Sequence, residues 1–208
     1  MRFSQKDSLK IGICPPDIKK VLFLDIDGVL CPHKDRRDSY QIEDSDLPAF
    51  YEKFKTLFNI DYSKYKDRVF IEVYYDWDKK SIALLKDVLN DTGTKIILSS
   101  EWRICGFQMM YDYFTLHGLQ EYYIGDTRYL DYSSLELLEK KYNKMYNANI
   151  NDFRTIEILD FLNNNPHITT YAVVDDLSLN PVIKDHFVKT SFKLYTKDAE
   201  QLKKILSE

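Results

Sequence analysis

The sequence predicts a doubly wound α/β fold on a parallel sheet, and three short apolar runs carry that prediction. VLFL at 21–24, KIILS at 95–99 and YAVVD at 171–175 stand out; the last two finish on a small polar or acidic residue, and Asp25 follows the first. Runs of this length without polar alternation fit strands covered on both faces, as in parallel sheets. Helical patterns fall between them, and such alternation marks the layered α/β class.

In chain order, Lys19 and Lys20 lead into the first run, which stops at Asp25. SIALLKDVLNDTG at 81–93 sets Ile82, Leu84, Leu85, Val88 and Leu89 on one helical face, and Gly93 is a stop signal. RTIEILDFLNNN at 154–165 repeats the period with Ile156, Leu159, Phe161 and Leu162 inward, and Asn151 or Asp152 suits an N-cap. Thr196 can cap KDAEQLKKIL, whose Ala199, Leu202, Ile205 and Leu206 would pack on the sheet. Residues 31–76 and 104–150 fit the alternation poorly. They are rich in Tyr, Asp and Lys and read as insertions on one domain, 1–208, decorating the carboxyl end of its sheet. The first reads as a flap or small cap, the second as a further decoration.

Composition narrows the class. With 208 residues, 44% hydrophobic and 14% aromatic, the chain can pack a core and is not of the disordered type. Its 29 Lys+Arg against 33 Asp+Glu leave a net charge of −4, which argues against long nucleic acid as the main partner. Cys14, Cys31 and Cys105 are odd in number and far apart. They suggest neither a disulfide framework nor a zinc site and suit a reducing, cytoplasmic setting. No apolar run approaches the roughly 18 residues of a membrane span, and MRFSQKDSLKIGICPP is too charged for a signal-peptide core. Export by a route without such a leader would leave the same sequence.

The chemistry lies at the ends of the three runs. In VLFLDIDGVL, Asp25 closes a strand, Asp27 follows two residues later, and Gly28 lets the chain turn away. KIILSSEWR offers Ser99 at the second strand end, and YAVVDDLSL offers Asp175 and Asp176 at the third. A parallel sheet would bring these three ends to one rim.

This set resembles the haloacid dehalogenase (HAD) superfamily of aspartate-nucleophile phosphatases, from about residue 20 to the C-terminus. DIDGVL matches its motif I, Ser99 motif II, and Asp175 with Asp176 motif IV. For motif III, a basic residue at a helix start, Arg154 is the choice, 21 residues before Asp175; Lys140, Lys141 and Lys144 compete. The resemblance implies a Rossmann-like core with small insertions and no large cap domain. It also implies Mg²⁺, bound through Asp25, Asp27 (by its main-chain carbonyl), Asp175 and Asp176, since oxygen-only ligands suit that ion. Asp25 would attack phosphorus to give an aspartyl-phosphate, Asp27 would act as acid and base, and Ser99 and Arg154 would hold the phosphoryl oxygens. Within the superfamily, the acid at Asp27 marks phosphatases and mutases rather than dehalogenases. Phosphomonoester hydrolysis is the expected reaction.

One competing pattern exists. Cys31 to Arg37 has the C-x5-R spacing of cysteine-based tyrosine phosphatases. Pro32 removes a backbone donor from that cradle, Asp35 adds a repelling charge, and no glycine eases the loop. Trp102 reads as packing and Arg103 as the partner of a nearby acid; His33, just after motif I, could approach the site but reads better as a solvated loop residue. Lys34, Arg36 and Arg37 form a basic cluster at the expected entrance, suited to an acidic, phosphorylated partner or simply solvated.

Small caps in this superfamily leave room for macromolecules, and the tyrosines of the insertions could form an aromatic wall. The expected substrate is therefore a phosphoprotein, phosphotyrosine first. In general character the chain is similar to HAD-type phosphotyrosine phosphatases that intracellular bacteria such as Legionella deliver as effectors. Two alternatives stand beside it. SSEWR and the DD of motif IV also resemble HAD modules attached to RNA repair proteins, implying a nucleotide or nucleic-acid end phosphatase. A non-catalytic binding module on a HAD scaffold is the other. The sequence sets no oligomeric state.

Overall fold

The computed structural model describes residues 12–34, 37–65, 68–130 and 150–208, with side chains omitted at 150–152. Five parallel strands form the sheet: β1 (Lys20–Leu24), β2 (Lys95–Leu98), β3 (Tyr123–Asp126), β4 (Thr170–Asp175) and β5 (Phe187–Lys189). Their order is β3-β2-β1-β4-β5, so β1 is central and the chain steps outward first to one side, then to the other. That reversal at β1 creates a crevice at the carboxyl ends of β1, β2 and β4, where α/β proteins place their sites.

Side chains alternate across the sheet because a strand has a period of two. Leu22, Leu24, Ile96, Leu98, Ala172 and Val174 face one core cluster. It is filled by α3 (Lys79–Thr92), α4 (Phe107–Thr115) and α6 (Thr196–Ser207), through residues such as Leu85, Phe114 and Leu202. Val21, Phe23, Ile97 and Val173 face the opposite cluster, covered by Ile158 and Phe161 of α5 (Ile150–Asn164). The α3 helix follows its sequence signals closely. Asp78 accepts from the Ser81 amide at 2.8 Å, and Gly93 closes the helix at φ +68°.

The segment 31–76 carries α1 (Leu47–Phe58), α2 (Val69–Asp76) and three short 3₁₀ turns. Its centre is Phe54, with the rings of Phe50, Phe58, Tyr62, Phe70 and Tyr74 at 4.7–6.1 Å. These rings belong to the same cluster as Leu22 and Leu98, so the segment shares the core of the sheet. Buried Asp76 accepts from the Ser39 amide and hydroxyl, and Arg68 donates to the Ser39 and Ile42 carbonyls.

Several local expectations change. The stretch 104–150 includes a helix and a sheet strand, α4 and β3, in its described part. Tyr195, not Thr196, is the N-cap of α6, and Asp198 accepts from its amide. Asn151 and Asp152 lie inside α5 rather than capping it. That helix is buried nearly all round, with Thr155, Glu157 and Asp160 covered as well as Ile156, so its polar residues hid Ile158 from the periodic pattern. Lys140, Lys141 and Lys144 lie outside the described residues. Among the described residues, no helix is long and apolar enough to cross a membrane.

Candidate active site

Asp25 is the first residue beyond β1, held by its amide to the Val174 carbonyl at 3.0 Å. Ser99 is the equivalent residue of β2, its amide on the Leu24 carbonyl at 2.9 Å. Asp175 ends β4. Both aspartates and Ser99 are buried. The ladder therefore sets three strand ends level, and the side chains follow from the backbone register rather than from loop conformation.

After Asp25 the chain turns on itself. The amides of Val29, Leu30 and Cys31 all reach back to the Ile26 carbonyl, and Gly28 takes φ +69°. A Cβ on Gly28 would lie 2.6 Å from the Asp176 side chain, so glycine is required both by the turn and by the approach of the β4 loop. Thr190 fastens the turn from behind, donating to the Gly28 carbonyl at 2.7 Å.

Asp25, Asp175 and Asp176 each offer a carboxylate oxygen, and the three oxygens lie within 4.8 Å of one another. Arg154, on the first turns of α5, reaches between them. Its Nη1 is 3.2 Å from Asp25 Oδ1 and 3.0 Å from Asp175 Oδ2, and it also donates to the Ser99 carbonyl. Its Nη2 lies 3.6 Å from Glu101 at the rim. Three carboxylates facing one guanidinium leave the cluster short of positive charge. Burial and then the neighbouring Asp175 push the Asp25 carboxyl up, against the pull of Arg154. Burial raises Asp175 as well. An all-oxygen donor set with excess negative charge fits a hard divalent cation such as Mg²⁺. Among the described residues the buried Ser99 hydroxyl has no hydrogen-bond partner, as suits a group that contacts a bound oxyanion.

Two neighbours of the acids, Trp102 and Ser100, escaped the sequence reading, and a third, His33, is less freely solvated than the sequence suggests. Trp102 Nε1 donates to Asp27 Oδ2 at 2.8 Å, while its ring packs edge-on against Trp77 at 5.7 Å. The indole therefore does more than pack: it fixes the second acid of DID. Ser100, whose hydroxyl favours the ionised form of Asp25, also caps the 3₁₀ turn bearing Trp102. His33 Nε2 lies 2.7 Å from Asp176 Oδ2, so this exposed imidazole is a partner of the acidic cluster and not a freely solvated side chain. The paired signal was weak because 75 and 143 residues separate the partners. Arg103 does find its acid, buried Glu157 at 2.7 Å.

The cysteine pattern is not built for chemistry. Cys31 is 2% exposed, and burial with the nearby Asp27 pushes its thiol up to about 12. A thiol so placed stays protonated and is a poor nucleophile.

A parallel Rossmann-like sheet with D-x-D, Ser and D-D at adjoining strand ends and a basic residue between them defines a HAD-superfamily core. The chain belongs to the family described as the HAD domain in Swiss Army Knife RNA repair proteins, which matches residues 21–200. That span runs from β1 into α6 and includes every acid of the cluster. No curated protein and no solved structure gives a significant match.

Proposed function

We propose that this chain is a Mg²⁺-dependent phosphomonoesterase that removes a terminal phosphate from an RNA strand. One observation carries the reading: the RNA-repair family match over 21–200 falls on a chain whose acidic cluster and Arg154 are brought together. In this reading Asp25 attacks phosphorus in line, and the bond to the leaving 3′ or 5′ oxygen breaks as the aspartyl-phosphate forms. Asp27 gives that oxygen its proton and then takes one from the water that hydrolyses the acyl phosphate. Trp102 holds Asp27 for both transfers. Ser99 and Arg154 bind the phosphoryl oxygens. A bound Mg²⁺, held by Asp25, Asp175, Asp176 and the Asp27 carbonyl, supplies charge neutralisation between the carboxylates and the phosphate.

The tyrosine argument for a phosphotyrosyl substrate is weakened among the described residues, where Tyr40 and Tyr129 are exposed but several others are not. Tyr62 is fully buried, and Tyr51, Tyr65 and Tyr74 pack in the aromatic cluster around Phe54 and Phe70. Delivery as an effector has only composition behind it and forms no part of the proposal. The closeness of nucleophile, acid and basic residue favours catalysis over a binding module.

An assay with Mg²⁺ tests the substrate class, comparing 3′- and 5′-phosphorylated RNA oligonucleotides, nucleoside monophosphates, phosphotyrosine peptides and phosphoserine peptides. The oligonucleotide ends should be the best substrates by kcat/KM. Turnover confined to phosphotyrosine peptides would reject the RNA reading.

A further inference from the structure

Beside the motif I turn lies a cavity of about 450 Å³, lined by Lys34, Lys79, Lys80 and Lys193 together with Tyr74, Tyr75, Trp77, Asp38 and Asp78. Four lysines against two aspartates make it a positive site on a chain whose net charge is −4. Lys193 is held by Asp78 at 2.8 Å and Lys34 lies 3.9 Å from Asp38. Lys79 and Lys80 are exposed and have no ion pair among the described residues. Two cations are thus available to a ligand, Lys193 is anchored beside them, and Lys34 is only loosely paired.

Parts of the cavity wall are tied to the motif I turn. The Asp78 amide bonds the Leu30 carbonyl at 2.7 Å, and the Leu194 amide bonds the Val29 carbonyl at 2.9 Å. Lys34 follows His33, which touches Asp176. Trp77 lines the cavity and packs on Trp102, which holds Asp27. None of the clustered acids lines the cavity, so a molecule seated here would neighbour the motif I turn rather than the reacting group itself.

We propose that this cavity grips the phosphodiester backbone of the strand whose end is being processed, a few nucleotides in from the reacting phosphate. The proposal rests on the RNA-end reading for the identity of the strand. A lysine-lined groove is an arrangement that tracks the backbone of a single strand without reading its bases. It also resolves the charge objection, because local lysines, not the net charge, meet the polyanion.

The test uses the whole chain and a fluorescent single-stranded RNA of about 12 nucleotides with no terminal phosphate, a length within the usual site size. Anisotropy titrations with Mg²⁺ across a salt series compare the parent with Lys79→Ala/Lys80→Ala and Lys79→Arg/Lys80→Arg. The alanine pair should weaken binding by roughly tenfold, and its log K against log salt should be shallower by about 1.4 for two lost phosphate contacts. The arginine pair should restore both, and thermal unfolding should show the alanine pair folded. Unchanged affinity and slope in the alanine pair, no RNA binding by the parent, or a loss confined to an acidic phosphopeptide probe would each overturn the groove. Failure of the substrate reading looks different. There the parent binds this RNA through the lysines yet hydrolyses only phosphopeptides.

Discussion

At Asp25, burial and the nearby Asp175 oppose ionisation while Arg154 and the Ser100 hydroxyl favour it. The residue is therefore placed where charge is costly, which is compatible with a nucleophile that works beside a bound cation. Asp25→Asn should abolish turnover, and Asp27→Asn should lower kcat by about 10²–10⁴-fold, the usual worth of a positioned acid or base. Cys31→Ser should leave kcat/KM nearly unchanged, since its thiol is protonated and buried. Steady-state kinetics on one phosphorylated oligonucleotide distinguish the three; activity lost at Cys31 and kept at Asp25 would reverse the assignment. Trp102→Phe keeps an aromatic ring against Trp77 but removes the donor to Asp27. It should lower kcat roughly tenfold with little change in KM, as expected when an acid is misplaced. At this scale the sequence made Asp25, Ser99 and Asp175 legible because each terminates an apolar run. Trp102, Ser100 and His33 were not legible as partners, since their contacts depend on the docking of loops distant in sequence.

At the scale of elements, the strands that bear the acids are continuous and apolar, so period and position sufficed to find them. β3 is half-hidden by its own composition, YIGD, and β5 has only three residues, too few for any periodic signal. The α1–α2 segment defeated the reading differently: its aromatics suggested a binding wall, whereas most of them fill the core. His117 shows how that packing is coupled to pH. Its imidazole stacks on Trp77 and Tyr74 and contacts the Val73 carbonyl at 2.7 Å, and burial lowers it from about 6.5 to about 4. The folded state thus prefers the neutral ring. Its contribution is full above about pH 6.5 and is lost as pH falls toward 4, an effect of roughly 3 kcal/mol at about 1.4 kcal/mol per unit. Asp126, raised to about 7 by burial, works in the opposite direction across the whole of that window. The informative comparison is parent with variant: urea midpoints between pH 4 and 6.5 should fall less steeply with acid in His117→Gln, and parallel slopes would exclude this role. Gly28→Ala should destabilise by about 1–3 kcal/mol, the cost of a strained backbone, and should reduce kcat because its methyl would displace Asp176.

Across the whole molecule, the fold delivers a charge arrangement that neither the composition nor the net charge revealed. An acidic chain concentrates three carboxylates at the carboxyl ends of its central strands and sets a lysine-rich cavity against the neighbouring motif I turn. A cation that binds only the folded cluster must stabilise the fold by mass action. Mg²⁺ should therefore raise the unfolding midpoint of the parent and should do so less in Asp175→Asn, with EDTA erasing both the shift and the turnover; equal shifts in the two proteins would place the ion elsewhere.

The central claim is that Asp25 becomes phosphorylated during turnover. Acid quench of the enzyme with an excess of phosphorylated RNA oligonucleotide, followed by peptide mapping by mass spectrometry, should place a phosphoryl group on the Asp25 side chain. A phosphoryl group on Cys31, or turnover with no modified residue at any quench time while an authentic acyl phosphate survives the same workup, would contradict the account.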